Sequence, residues 1–210
     1  MAYRRLHKLT EEKHNPWVIF NPHTLSPLLP MHDSMTICTI DPGIKNCAIR
    51  IAKRTGDQVS TILQDKVEFK SYTDTITYFG SIKDHLLNCH YIIVESQLRV
   101  NYDLIRMGQH IQSTLMVLVQ NQGLRPLIIE VDPKLKSSYL GAPKFKSKKD
   151  LKKWASQMAI SILESRSDSG TLKIITGAKK QDDHGDVICM EMMFWSILAS
   201  GSIPIPNKIY

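Results

Sequence analysis

Four carboxylates stand at positions where a folded chain has little ordinary use for charge. In Met35 to Lys53, MTICTIDPGIKNCAIRIAK, an apolar run ends on Asp41, turns at Pro-Gly, and returns through Cys47 to Ile51. Tyr91-Ile92-Ile93-Val94 is a second apolar run, and it too ends on an acid, Glu95. A carboxylate at the mouth of a buried strand is costly unless it is paired or holds a cation. Asp183 and Asp186 lie three residues apart at the start of the last helical stretch, so both project from one face within a turn. If the four converge, their mutual repulsion makes sense around divalent cations, and all-oxygen ligation selects Mg²⁺ or Mn²⁺ over zinc. Two such ions about 4 Å apart stabilise both the attacking water and the leaving oxygen of a phosphodiester.

Each acid also has an ordinary reading. Asp41 suits a turn before Pro-Gly, Glu95 a strand-end surface, and Asp182 or Asp183 a helix cap favoured by the macrodipole. Glu130 and Asp132, at another strand end, are read as structural. What carries weight is the conjunction of strand-end Asp, strand-end Glu and helix-start DxxD, in that order.

A second cluster has the opposite sign. KFKSKKDLKK puts Lys144, Lys146, Lys148, Lys149, Lys152 and Lys153 in ten residues. Some of them precede or open a helix, where the macrodipole disfavours cations. A solvated basic face is the usual meaning of such a run, but phosphates at that helix end would explain the placement better. A lysine there could also neutralise charge developing on a scissile phosphate. The formal net charge of +7 and pI near 9.2 point the same way, toward nucleic acid first and acidic membrane second.

The elements that must position these groups follow from periodicity. Strands are expected at 35–41, 47–53 and 58–68, joined by short turns into an antiparallel meander. A helix follows over 72–88, then the buried strand 91–95 and a long apolar helix over 102–121, either central core or a dimer face. Leu127 to Val131 reads as another buried strand, and the lysine-rich loop leads into an amphipathic helix over 149–165. Residues 172–175 read as a short strand or turn, and a final helix runs to about Ala199. The expected architecture is α/β: a mixed five-stranded sheet, three antiparallel strands then two parallel, with helices on both faces. That is the element order of the ribonuclease H-like fold.

Residues 1–33 differ from the rest, being polar, proline-punctuated and without sustained period. They read as an extended or flexible arm that Trp17 to Phe20 could dock, leaving 34–210 as the single domain. His7, His14, His23 and His32 fit no metal-ligand spacing. Cys38, Cys47, Cys89 and Cys189 form no CxxC pair and read as buried reduced thiols. No run approaches the ~18 apolar residues of a membrane span, and the N-terminus has no apolar signal-peptide centre. An intracellular protein without a membrane partner is expected.

IDPGIKNCAIRI, IIVESQ, LGAPKFKSKKDLKKWA and KKQDDHGDVICMEMMFW together resemble the RuvC-like Holliday junction resolvases, nearest to the branch found in poxviruses and other large DNA viruses. The resemblance spans roughly residues 35–200. It implies a dimeric, magnesium-dependent endonuclease, with Mn²⁺ substituting and two ions per active site. Such an enzyme cuts four-way DNA junctions by symmetric paired incisions that leave 5′-phosphate and 3′-hydroxyl ends, serving recombination or replication-concatemer resolution. By motif, Asp41, Glu95, Asp183 and Asp186 are the metal-binding acids. Lys148 aligns with the family's catalytic lysine, and Lys136 with a second family lysine. Lys136, Lys144, Lys146, Lys149, Lys152 and Lys153 are the expected DNA-contacting residues, and the 102–121 helix the dimer interface. A viral replication site in the cytoplasm is the location implied. Tyr102, opening that helix, reads as an exposed packing residue, or else as a wedge for the junction centre. The arm has no counterpart in the compact bacterial members.

Three rivals remain open at this level. Actin-like ATPases and sugar kinases share an Asp-x-Gly hairpin, but they need two such lobes and a nucleotide, and no nucleotide cofactor is expected here. Another ribonuclease H-like nuclease, acting on other branched DNA or RNA–DNA hybrid, would use the same acids. A non-catalytic basic DNA-binding module would use them only as caps.

Overall fold

The computed structural model describes residues 17–19, 32–97, 100–119, 126–178 and 180–200. Its centre is a mixed sheet. β2 (Ser34–Asp41), β3 (Cys47–Thr55) and β4 (Gln58–Val67) form the antiparallel meander. β5 (Tyr91–Glu95) adds parallel to β2, and β6 (Leu127–Val131) parallel to β5. These five strands are the ones expected. A sixth, β1 (Trp17–Ile19), pairs parallel with β6, giving the order β1-β6-β5-β2-β3-β4. Apart from β1, His32 and Asp33, the arm lies outside the described residues, as do His7, His14 and His23.

The turns explain the meander. At Gly43 a Cβ would sit 2.7 Å from the carbonyl oxygen of Asn46, so the β2–β3 turn closes only on glycine. Gly56, with φ of 58°, makes the tight β3–β4 turn.

Strand alternation then divides the core in two. Cys38, Ile40, Ile92 and Val94 face α1 (Tyr72–Ser81), α2 (Lys83–Leu87) and α3 (Tyr102–Val119), through Phe79, Leu86, Met107, Ile111 and Leu115. Ile37, Tyr91, Ile93 and Ile129 face α7 (Gln181–Ser200), through Val187, Met190, Phe194 and Trp195. α5 (Lys148–Ser165) and α6 (Ser169–Gly177) pack outside α7, so that it is enclosed on both sides. All four cysteines are buried and unpaired. No helix among the described residues is long and apolar enough to cross a membrane.

Three segments differ from expectation. The helix expected over 72–88 is two helices, because Ile82 (φ −104°, ψ 14°) leaves helical geometry after Gly80-Ser81. The lysine-rich loop contains a short helix, α4 (Pro133–Tyr139), begun by the Asp132 side chain accepting from the Lys134 amide at 2.7 Å with Pro133 in the first turn. Residues 172–175 are neither strand nor turn but the middle of α6. There Asp168 caps the helix by accepting from the Thr171 amide at 3.0 Å, and burial of Ile175 overrides the local β preference of the sequence.

Candidate active site

The period of two along a strand decides where the first two acids point. Ile37 and Tyr91 are register partners on the α7 face, and Ile40 pairs with Val94 on the opposite one. One residue further, Asp41 and Glu95 end neighbouring parallel strands on the α7 side. Ser96 continues the ladder by donating its amide to the Val131 carbonyl at 2.9 Å.

Two contacts set the start of α7 over those strand ends. The Thr39 hydroxyl donates to the Val187 carbonyl at 3.0 Å and ties the helix to β2. Gly185 lets α5 approach, since a Cβ there would lie 3.1 Å from the Ala155 carbonyl oxygen. Asp186 thereby faces the strand ends, and Asp183 stands one turn before it, 3.8 Å from the Lys66 ammonium of β4. Asp182 turns the other way and pairs with Lys152 of α5.

Lys136 of α4 completes the centre. Its ammonium donates to Glu95 Oε2 at 2.6 Å and lies 2.7 Å from Asp186 Oδ1. Lys136 and Glu95 are each only 12% exposed. Burial would lower the lysine's pKa, but Glu95, Asp186 and Asp41 together hold it above the ordinary range. The Asp41 carboxyl is pushed well up by burial, then by Glu95, Asp186 and Asp183, with Lys136 opposing. Glu95 is raised by burial against the pull of Lys136. Asp183 is raised by burial and then by Asp182, and its Oδ2 is buried without a hydrogen-bond partner. Lys136 at the centre and Lys66 beside Asp183 therefore leave the four acids short of positive charge.

Among the described residues no three or more His, Cys, Asp or Glu side chains are arranged as a ready ligand set for a metal, and it is an ammonium that bridges Glu95 and Asp186. The donor set nevertheless suits a hard divalent ion: carboxylate oxygens only, desolvated, mutually repelling, one with an unused lone pair.

The expected lysines divide by position. Lys136 is inside the cluster rather than on the surface. Lys148 is the first residue of α5, just after its N-cap Ser147, and is exposed with no ion pair among the described residues. It lies one turn before Lys152, the partner of Asp182, on the same helix stripe. Lys144, Lys146, Lys149 and Lys153 are exposed. Asp132 serves as the α4 cap.

Sequence reasoning did not find the groups beneath the site. Arg50 of β3 and Glu191 of α7 form a fully buried ion pair, and Glu191 also accepts from Arg166 at 2.9 Å and the Trp195 indole at 2.7 Å. Arg50 donates to Gln64 Oε1 at 3.0 Å, which leaves the Gln64 amide nitrogen to donate to His184 Nδ1 at 2.9 Å. His184, between the two site aspartates, is thus a neutral acceptor, and burial lowers its pKa accordingly. The available signal was an arginine inside CAIRIAK and a glutamate inside ICMEMMFW, each a charge in an apolar run that needs a buried partner.

Strand order and helix placement are those of a ribonuclease H-like fold, with an acidic cluster at its strand ends. Among solved structures, the yeast mitochondrial Holliday junction resolvase Ydc2 superposes with a TM-score of 0.59 at 15% identity, covering 94% of this chain and 96% of that one. Thermus thermophilus RuvC gives 0.56 at 14% identity, covering 81% and 100%. The T. thermophilus RuvC complex with a Holliday junction substrate gives 0.51 at 15%, covering 78% and 96%. At these identities the likeness establishes the fold. Among curated sequences, "Uncharacterized protein 97L" of Invertebrate iridescent virus 3 is 28% identical over 102 residues, 49% of this chain and 46% of that protein, so the match spans about half of each. No protein-family model matches the chain.

Proposed function

We propose that the protein is a divalent-cation-dependent endonuclease that resolves four-way DNA junctions by paired incisions, of the branch carried by large DNA viruses. The observation that carries this reading is the meeting of Glu95 and Asp186, from two elements distant in sequence, at one ammonium, with Asp41 close enough for its charge to act on all three and Asp183 a turn away. The fold neighbours named for Holliday junctions and the iridescent virus relative support the substrate and the lineage.

Asp41, Glu95, Asp183 and Asp186 would hold Mg²⁺, or Mn²⁺ in its place, two ions per site. When bound, the ions supply charge neutralisation and Lewis-acid polarisation at the phosphodiester. The chain's own groups do the rest. Thr39 and Gly185 fix α7 over the strand ends, so the acids are pre-organised rather than recruited. Lys136 is the ammonium next to the reacting centre. Lys148 contacts phosphate together with Lys144, Lys146, Lys149, Lys152 and Lys153. Cleavage leaving 3′-hydroxyl and 5′-phosphate ends yields nicks that a ligase reseals.

Two symmetric nicks require two sites, and we assign the homodimer interface to the outer face of α3. Its inner face packs on the sheet through Met107, Ile111 and Leu115, while Tyr102, 78% exposed, and Val117 stand outward.

The test is incubation with a synthetic mobile four-way junction and Mg²⁺, alongside a flap, a Y-fork and an RNA–DNA hybrid. Paired, ligatable nicks in the junction are expected, and Asp183→Asn should abolish them while leaving junction binding near normal. Preferential cutting of the hybrid would move the assignment to another ribonuclease H-like nuclease.

A further inference from the structure

We propose that Lys136 is the resident counter-ion of the carboxylate cluster, and that the divalent cation displaces it and turns its ammonium toward the phosphate of the bound strand. This rests on the nuclease reading above.

The ammonium lies 2.6 Å from Glu95 and 2.7 Å from Asp186, in the gap that a cation held by those two acids has to share. Magnesium takes carboxylate oxygens at about 2.0–2.1 Å. Two positive charges cannot occupy that gap at such distances, so one must leave.

The backbone of α4 is poorly placed to do so. Asp132 caps it, and Leu135 and Tyr139 are docked on the core beneath α7. The side chain is free to move, because the lysine stem carries four rotatable methylenes and its ammonium is a point charge without preferred orientation.

Charge count gives the direction. Asp41, Glu95, Asp183 and Asp186 present four carboxylates, while Lys136 supplies one ammonium and Lys66 another 3.8 Å from Asp183 alone. A dication satisfies more of this cluster than an ammonium does. A displaced ammonium beside two cations is then repelled outward, where a phosphodiester is the nearest anion. Phosphate recognition at the centre thus becomes conditional on the metal already being there.

The experiment uses the whole chain without DNA. Wild-type protein is labelled with an amine-acylating reagent in chelator and again with saturating Mn²⁺, and the extent of Lys136 labelling is read by mass spectrometry. In parallel, Mn²⁺ is titrated calorimetrically into wild type, Lys136→Met and Lys136→Arg. Slow labelling in chelator, several-fold faster labelling with Mn²⁺, and binding at least about tenfold tighter in Lys136→Met than in Lys136→Arg are expected. Unchanged Lys136 labelling on Mn²⁺ binding overturns the displacement, and so does equal or weaker Mn²⁺ binding by Lys136→Met. The wild-type labelling stands even if the Met variant folds poorly. If wild type binds no Mn²⁺ at all, both this inference and the nuclease reading fall. If Mn²⁺ binds while Lys136 is indifferent to it, only this one does.

Discussion

Asp41 carries the conflict between folding and chemistry on a single side chain. Its carboxyl is raised by burial and by three neighbouring acids. For an acid whose folded value is raised, stability is lost as pH climbs from the unfolded value, about 3.9, through the folded one, and the ionised group destabilises the fold fully above both. Asp41→Asn removes that charge. In chelator at neutral pH it should raise Tm by about 2–4 °C, the shift that about 1 kcal/mol gives a domain of this size. With Mg²⁺ the order should reverse, because wild type gains the binding free energy of the ion and the variant largely does not. A scan by differential calorimetry with and without Mg²⁺ checks both signs. Glu191 is the contrasting case. Burial alone would raise its pKa, but Arg50 and then Arg166 outweigh it, and the folded value is depressed. Its contribution is fully present above the ordinary glutamate value of about 4.3 and disappears as pH falls through the depressed one. Glu191→Gln leaves the buried Arg50 with only the Asp168 carboxylate, 3.8 Å away, as counter-charge, and should destabilise by about 3 kcal/mol at pH 7. Urea titrations at pH 7 and at acid pH should find that loss shrinking as pH falls.

At the scale of elements, the strands and long helices were legible because they obey one period each. Met35–Ile40 and Tyr91–Val94 are buried throughout, and the α5 stripe of Ala155, Ala159 and Ile162 is regular. α4 and α6 were hidden for different reasons. α4 is too short to show a period, although Asp132-Pro133 was a cap signature in plain view. α6 contains Lys173-Ile174-Ile175-Thr176, whose local preference is extended, and only its docking on α7 makes it helical. The same distinction governs the site. Asp41 and Glu95 were readable because each ends an apolar run, and Asp183 and Asp186 because they stand three residues apart at a helix start. Which lysine reaches them was not, because Lys136 and Lys148 belong to helices whose relative placement depends on tertiary contacts such as that of Gly185 with Ala155. The Gln64–His184 link was equally invisible, since it joins side chains 120 positions apart.

For the whole molecule, charge distribution makes a quantitative statement about DNA. Lys144, Lys146, Lys149 and Lys153 are exposed within ten residues around the start of α5. Each phosphate contact contributes about −0.9 to the slope of log K against log salt on duplex DNA. Replacing all four by glutamine should flatten that slope by about 3–4 for a four-way junction measured in chelator, with the affinities read by fluorescence anisotropy between low and moderate salt. An unchanged slope would remove these four lysines from the proposed DNA contacts. The sheet has a further consequence at its other border. β1, supplied from far upstream, lies along β6 and takes up main-chain groups of a strand whose residues Leu127, Ile128, Ile129 and Val131 are all buried. A chain started at Met35 would strip that cover and leave an apolar ribbon of unsatisfied amides and carbonyls, the template on which copies stack edge to edge. Loss of the first thirty-odd residues should therefore register first as turbidity.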